Sequence, residues 1–217
     1  TCREMVNSMK LIKRLSLPAL LFLAALSVSF VLNGCATTTQ TGAVGVERKQ
    51  FLLVSQKDAE RGAAQFYAKE KQKYAAKAAL NPDMTQTARV RNIAQNLIHQ
   101  VGVFRPDARN WQWEVNVLQS NELNAYCAAG GKIAVYSGLI EKLELSDDEL
   151  ASVMGHEIAH ALREHSREAM SQAMAQQMGI AVLGMALNMG SLSQAVLDNA
   201  TTVAIQLPNS RAKEIEA

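Results

Sequence analysis

Ser146-Asp147-Asp148-Glu149-Leu150-Ala151-Ser152-Val153-Met154-Gly155-His156-Glu157-Ile158-Ala159-His160-Ala161-Leu162 is the stretch on which the fold turns. It opens with a capping box, in which the Ser146 hydroxyl can accept from the third N–H of a helix while Glu149 reaches back. Leu150, Val153, Met154, Ile158 and Leu162 follow at three- and four-residue spacing, the period of a helix with one buried face. His156 and His160 are therefore expected one turn apart on the same side of a single helix. Residues four apart differ in direction by about 40° and in height by about 6 Å, so both imidazoles can reach one ion.

An H-E-x-x-H pattern on a helix supplies two nitrogen ligands for Zn²⁺ and a flanking carboxylate, here Glu157, that can move a proton from water to a departing amine. A structural zinc site is closed by four protein ligands, often Cys, whereas a catalytic one has three. The chain has three Cys, none near the pentad. His165 is the nearest further candidate. On a continuous helix it points about 180° away from His156, so it is expected at the helix surface or its end. A third histidine in the pattern H-E-x-x-H-x-x-G-x-x-H would need Gly and His where Arg163 and Ser166 stand. The third ligand has to come from another part of the chain. The bland alternative is a solvated helix that happens to carry two histidines.

Two further runs bear on this. Upstream lies Asn124-Ala125-Tyr126-Cys127-Ala128-Ala129-Gly130-Gly131-Lys132-Ile133-Ala134-Val135-Tyr136-Ser137-Gly138-Leu139, and at the end Asn209-Ser210-Arg211-Ala212-Lys213-Glu214-Ile215-Glu216-Ala217. Together with the pentad they resemble the HtpX and CAAX-prenyl-protease family of zinc metallopeptidases, metallopeptidase family forty-eight, and within it the small bacterial lipoprotein branch. The resemblance covers residues 50 to 217. It implies a mostly helical α+β fold, a zincin-type (gluzincin-like) metallopeptidase domain with one small antiparallel sheet. It also implies one Zn²⁺ per chain held by His156, His160 and Glu214, with Glu157 as general base. Glu216, two residues on, is the rival to Glu214, and an ordinary surface carboxylate is the plain reading of either. The family pattern places an Asp directly after Ala217, so the chain is expected to continue with a second acid and further helices.

The front of the chain speaks to compartment. Lys10, Lys13 and Arg14 precede an apolar stretch from Leu15 to Leu32, and Leu32-Asn33-Gly34-Cys35 reads as a lipobox. Residues 1–34 are thus expected to be a lipoprotein signal peptide, with Cys35 lipidated and residues 35–50 a flexible, Thr/Gly-rich tether. An uncleaved membrane anchor is the alternative, against which Pro18 and the abrupt polar switch after Cys35 argue. Ala36, not Asp, follows Cys35, which resembles sorting to the periplasmic face of the outer membrane of a Gram-negative bacterium. Without the leader the chain has 18 basic and 19 acidic side chains, a balance near −1. No basic stripe or aromatic platform remains to suggest nucleic acid. Cys127 is then the one unlipidated thiol, so no internal disulfide can form, and it is expected as a small buried strand residue.

Residues 51–217 are long enough for one domain with its own core. A helix is expected from Ser55 to Leu80, stopped by Asn81-Pro82, and a second from Thr85 to Val101 with Val90, Ile93, Leu97, Ile98 and Val101 inward and His99 at the surface. Trp111, Trp113, Val115 and Val117 alternate as a half-buried strand, and residues 125–128 and 132–136 form two more around the Gly130-Gly131 turn. Met170, Met174, Met178, Met185 and Met189 fall at helical spacing, either as core or as an adaptable apolar wall. The apolar run around Ile180 to Leu187 is too short to cross a bilayer.

A peptidase must hold an extended chain, and a strand edge beside the metal does so through main-chain hydrogen bonds. By resemblance the segment Gly131, Lys132, Ile133, Ala134 and Val135 is expected to bind substrate, with a purely structural hairpin as the alternative. The expected function is a zinc endopeptidase of the bacterial envelope that degrades misfolded or misassembled periplasmic and outer-membrane proteins, held to the membrane at Cys35. A chaperone or assembly factor for outer-membrane proteins using the same groove is the rival. A structural lipoprotein with an accidental pentad is a third reading, and would bind no metal. Cleavage preference and oligomeric state are not written in these residues.

Overall fold

The computed structural model describes residues 35–36, 48–186 and 211–217. Thr1–Cys35 separates as a unit from Ala36–Ala217. The expected leader and the central part of the tether lie outside the described residues, as does Met189. Two-residue strands β1 (Cys35–Ala36) and β2 (Gln50–Phe51) precede the helices α1 (Gln56–Ala75), α2 (Met84–Ile98) and α3 (Val101–Phe104). Strands β3 (Glu114–Leu118), β4 (Ala125–Ala128) and β5 (Lys132–Tyr136) follow. Then come α4 (Ser137–Lys142), α5 (Asp147–Leu162), α6 (His165–Ala186) and α7 (Arg211–Glu216). The architecture is α+β and mostly helical, as expected.

The helix starts are those dictated by capping chemistry. The Ser55 hydroxyl accepts from the Asp58 N–H to open α1, Asp83 accepts from Thr85 and Gln86 to open α2, and the Ser146–Glu149 box opens α5. Helix α1 ends five residues before Leu80, because the chain is claimed there by the sheet. Ala78 and Asn81 turn through the left-handed region (φ 53° and 51°), Gln119 N–H donates to Ala79 O at 2.9 Å, and Asn81 N–H donates to Val117 O at 2.8 Å. Helix α2 stops at Ile98 and resumes as the one-turn α3, leaving His99 exposed.

The sheet has the order β3-β5-β4 and is mixed rather than wholly antiparallel. β4 and β5 form the expected antiparallel hairpin, Tyr126 opposite Ala134 and Cys127 opposite Ile133, but β3 runs parallel to β5. The loop of residues 119–124 carries the chain past the place that β5 later fills, so the first strand meets the third and not the second. The turn depends on glycine. Gly130 and Gly131 have φ of 75° and 81°, and a Cβ on Gly131 would stand 2.7 Å from the Trp113 ring.

Both faces of this sheet are covered, which sets the positions of the elements around the pentad. Tyr67 and Tyr74 of α1 pack with Leu118, Tyr126, Ala134 and Tyr136 on one face. On the other, Val117, Cys127, Ile133 and Val135 meet Val90, Ile93 and Ala94 of α2 and Leu150, Met154 and Ile158 of α5. Leu150, Met154 and Ile158 are 0%, 1% and 4% exposed, each contributing about 2 kcal/mol of apolar burial. Thus α5 is fixed against the sheet by its apolar stripe, which includes Ile158 of the pentad, while the His156 side chain stays 37% exposed. Among the described residues no helix is long and apolar enough to cross a membrane.

Candidate metal centre

His156, Glu157 and His160 stand in the last two turns of α5, and Glu214 arrives from α7. His156 Nε2 lies 3.0 Å from His160 Nε2 and 3.1 Å from Glu214 Oε2, and His160 Nε2 lies 3.5 Å from Glu214 Oε1. Donors at about 2.0–2.2 Å from a tetrahedral ion are about 3.3–3.5 Å apart, so this triangle has the size of one face of such a site. Its donor set, two imidazoles and one carboxylate, suits Zn²⁺. Exposure grades across it: the His160 side chain is 6% exposed, His156 37% and Glu214 46%. One side of the triad is therefore in the protein and the other faces solvent.

A chain of hydrogen bonds behind His160 fixes which nitrogen can act. His160 Nδ1 is 2.7 Å from His165 Nδ1, and His165 Nε2 is 3.0 Å from Glu216 Oε2. A carboxylate only accepts, so His165 must donate from Nε2. Its Nδ1 then carries the lone pair, which makes His160 the donor at Nδ1 and leaves His160 Nε2 unprotonated toward Glu214 and His156. Burial holds the His165 pKa down at about 4, consistent with a neutral ring. Burial, with the neighbouring His156, also lowers His160. The two acids two residues apart on α7 thus divide the work, since positions i and i+2 of a helix point about 200° apart. Glu214 meets the paired imidazoles and Glu216 meets His165.

Of the two places expected for His165, the helix surface or a helix end, the structure gives the end: it follows the close of α5 and is the first residue of α6. The helix is not continuous: Arg163 and Glu164 form a break, with Glu164 at φ 54°, and α6 begins at His165. The ring therefore turns back under His160 and is 1% exposed, not at the surface. The break has no local signal such as Gly or Asn. It is held by remote side chains: Arg105 Nη1 donates to Leu162 O at 3.0 Å, Gln50 Nε2 donates to Arg163 O at 2.6 Å, and Arg105 Nη2 pairs with Glu164 Oε1 at 3.4 Å. The sequence reading also missed Arg48, Glu168 and Lys213, which surround Glu216. Gln50 is buried and Arg48 is engaged in ion pairs, so the last residues of the supposed tether are part of the folded body.

Glu157 makes no hydrogen bond with any described group. Burial, then the charge of Glu214, pushes it up to about 7. A divalent cation in the triad would act in the opposite direction. Burial and the charge of Glu157 both raise the Cys127 thiol, which places β4 against the general-base candidate. Cys127 is buried and free, an apolar strand residue as expected.

The expected substrate edge at Gly131, Lys132, Ile133, Ala134 and Val135 needs correction. β5 is the central strand, bonded to β3 on one side and β4 on the other, so it has no free edge to offer. The margin beside α5 is β4. Tyr126 and Ala128 face their β5 partners through the ladder, so Ala125 and Cys127 turn their main-chain N–H and C=O groups outward.

Residues 84–217, well over half the chain, match the family model described as Peptidase family M48. The chain belongs to peptidase family M48. This agrees with the resemblance carried by the pentad and the two flanking runs, and it makes the protein a member of a metallopeptidase family. Among M48 relatives, the metalloprotease LoiP of Escherichia coli is 28% identical over 197 residues, covering 90% of this chain and 74% of that protein. The mitochondrial metalloendopeptidase OMA1 of Arabidopsis thaliana is 35% identical over 105 residues, 48% of this chain but 20% of its own length. An M48 protein of Vibrio cholerae provisionally named a beta-barrel assembly-enhancing protease is 39% identical over 56 residues, 26% of this chain and 11% of that one. The chain therefore spans about a fifth of the plant relative and three quarters of LoiP.

Proposed function

We propose that the protein is a zinc-dependent endopeptidase of the bacterial envelope, acting on misfolded or misassembled periplasmic and outer-membrane proteins. The observation that carries this is the triangle of His156, His160 and Glu214, with donor separations of 3.0, 3.1 and 3.5 Å, beside a Glu157 that makes no hydrogen bond among the described residues. His156, His160 and Glu214 are the ligands in this reading. When bound, zinc would polarise the scissile carbonyl and acidify the attacking water. Glu157 takes the proton of that water and delivers it to the departing amine. The substrate main chain pairs with the outward groups of Ala125 and Cys127 on β4, a mode that would admit varied unfolded chains with little side-chain choice.

The envelope setting is supported by the basic and apolar leader ending at Leu32-Asn33-Gly34-Cys35, with Cys35 the proposed site of lipidation and the outer membrane the proposed anchor. It is supported also by the name of the Vibrio cholerae relative, which refers to beta-barrel assembly. The test is Glu157→Gln in full-length protein. Stoichiometric zinc should be kept while casein cleavage falls by at least about 100-fold. Unchanged cleavage, with contaminating protease excluded, overturns the assignment, as does wild-type protein that takes up no zinc after reconstitution. Protection of unfolded outer-membrane proteins from aggregation by the variant would add a holding role to the same groove.

A further inference from the structure

Arg48 lies ahead of every described helix, yet its guanidinium sits between the two helices that close the metal centre. Nη1 and Nη2 donate to Glu168 Oε1 and Oε2 of α6 at 2.6 and 2.8 Å. Nη2 also donates to Glu216 Oε2 of α7 at 3.1 Å, and Nε donates to Glu216 Oε1. Both carboxylates are buried, 2% and 6% exposed, whereas the Arg48 side chain keeps 32%. Lys213 of α7 is the other cation here, with Nζ 3.7 Å from Glu168 Oε2 and 3.3 Å from His165 O.

This cluster does no chemistry on a substrate, and the proposed reaction does not use it. Its connection to the site runs through Glu216. Only with Glu216 aimed at His165 does His165 present its Nδ1 lone pair to His160, and only then does His160 present Nε2 toward Glu214. A guanidinium forked across two carboxylates on different helices fixes the direction of Glu216, which a single ammonium cannot do. The same short segment reaches the third relevant element, because Gln50 Nε2 donates to Arg163 O at the end of α5.

Resting on the zinc reading above, we infer that Arg48 is a positioning residue for the metal centre, locking the Glu216–His165–His160 relay from the segment that precedes α1. Removal of the guanidinium leaves Glu168 with Lys213 and Glu216 with His165, so Glu216 loses the fork that fixes its aim and α7 one of its ties to α6. The effect should reach the ion through the orientation of His160 and the placement of Glu214.

The experiment uses the full chain. Zinc affinity is measured by competition with a fluorescent chelator, and the coordination geometry by the visible spectrum of cobalt-loaded protein. Arg48→Ala should weaken zinc binding by about tenfold or more and alter the cobalt bands, with Arg48→Lys restoring part of both. Arg89→Ala, which removes a surface pair with Asp147, should leave both readings at wild type. Wild-type affinity and spectrum in Arg48→Ala overturn the inference. Should that variant fail to fold, Arg48→Lys and Glu168→Gln are read in the same way, and wild-type values in both overturn it. Wild-type protein that binds neither metal would instead remove the zinc reading on which this rests.

Discussion

His165 Nδ1 lies 2.7 Å from His160 Nδ1 across the break between α5 and α6, so the helix ends where it must for one histidine to set the tautomer of another. Replacing His165 by Phe fills the space but removes the acceptor. Zinc affinity, measured by chelator competition, is expected to fall by about 10- to 100-fold, the usual cost of losing the group behind a ligand. Affinity equal to wild type would separate His165 from the metal centre.

Glu214 and Glu216 should part company under substitution. Glu214 is 46% exposed, so Glu214→Gln should abolish tight zinc binding while changing the stability of zinc-stripped protein by less than about 0.5 kcal/mol. Glu216 is buried between Arg48 and His165, so Glu216→Ala should destabilise the stripped protein by about 2 kcal/mol. Urea titrations and bound-zinc analysis check both. The reverse pattern would make Glu216 the ligand.

Acid should weaken the α6–α7 contact through Glu168. Burial works to raise the Glu168 carboxyl, but the hydrogen bond from Arg48 and the charges of Lys213 and Arg48 outweigh it and hold the group below its ordinary value of 4.5. The unfolded chain then takes up more protons than the folded one as pH falls below that value. The contribution is complete above pH 4.5 and is lost as pH drops through the lower, folded pKa. Urea unfolding of the zinc-stripped protein between pH 6 and pH 3 should show a declining midpoint, and Arg48→Ala should flatten the decline. An equal slope in the variant would detach Glu168 from Arg48.

Gly131→Ala tests the hairpin that carries β4. At φ 81°, with Trp113 2.7 Å from the new Cβ, the substitution should cost about 2 kcal/mol or more. A lower melting temperature with unaltered zinc stoichiometry is expected. A neutral outcome would mean that the turn relaxes without strain.

What could be read from residues alone was whatever rests on neighbours in sequence. The Ser146–Glu149 box, the stripe from Leu150 to Leu162 and the strands at 125–128 and 132–136 are local patterns, and each appears where the spacing puts it. The break at Arg163–Glu164 depends on Gln50 and Arg105, more than fifty positions away, and no local residue announces it. The parallel pairing of β3 with β5 has the same origin, because loop 119–124 can lead to either neighbour and only packing decides. Glu214 as the carboxylate of the triangle came from family resemblance. Helical geometry alone says that Glu214 and Glu216 face different ways, not which one faces the imidazoles.

The two ends of the donor triangle, His156 and Glu214, are 58 positions apart in the chain. An ion gripping both would be a reversible cross-link, comparable in effect to a disulfide that closes a loop of that length, and removable by chelation instead of reduction. Scarcity of the metal would then act on the protein twice, silencing the proposed chemistry and unfastening α7 from α5, so that susceptibility of α7 to proteolysis becomes a gauge of how much zinc the surroundings supply.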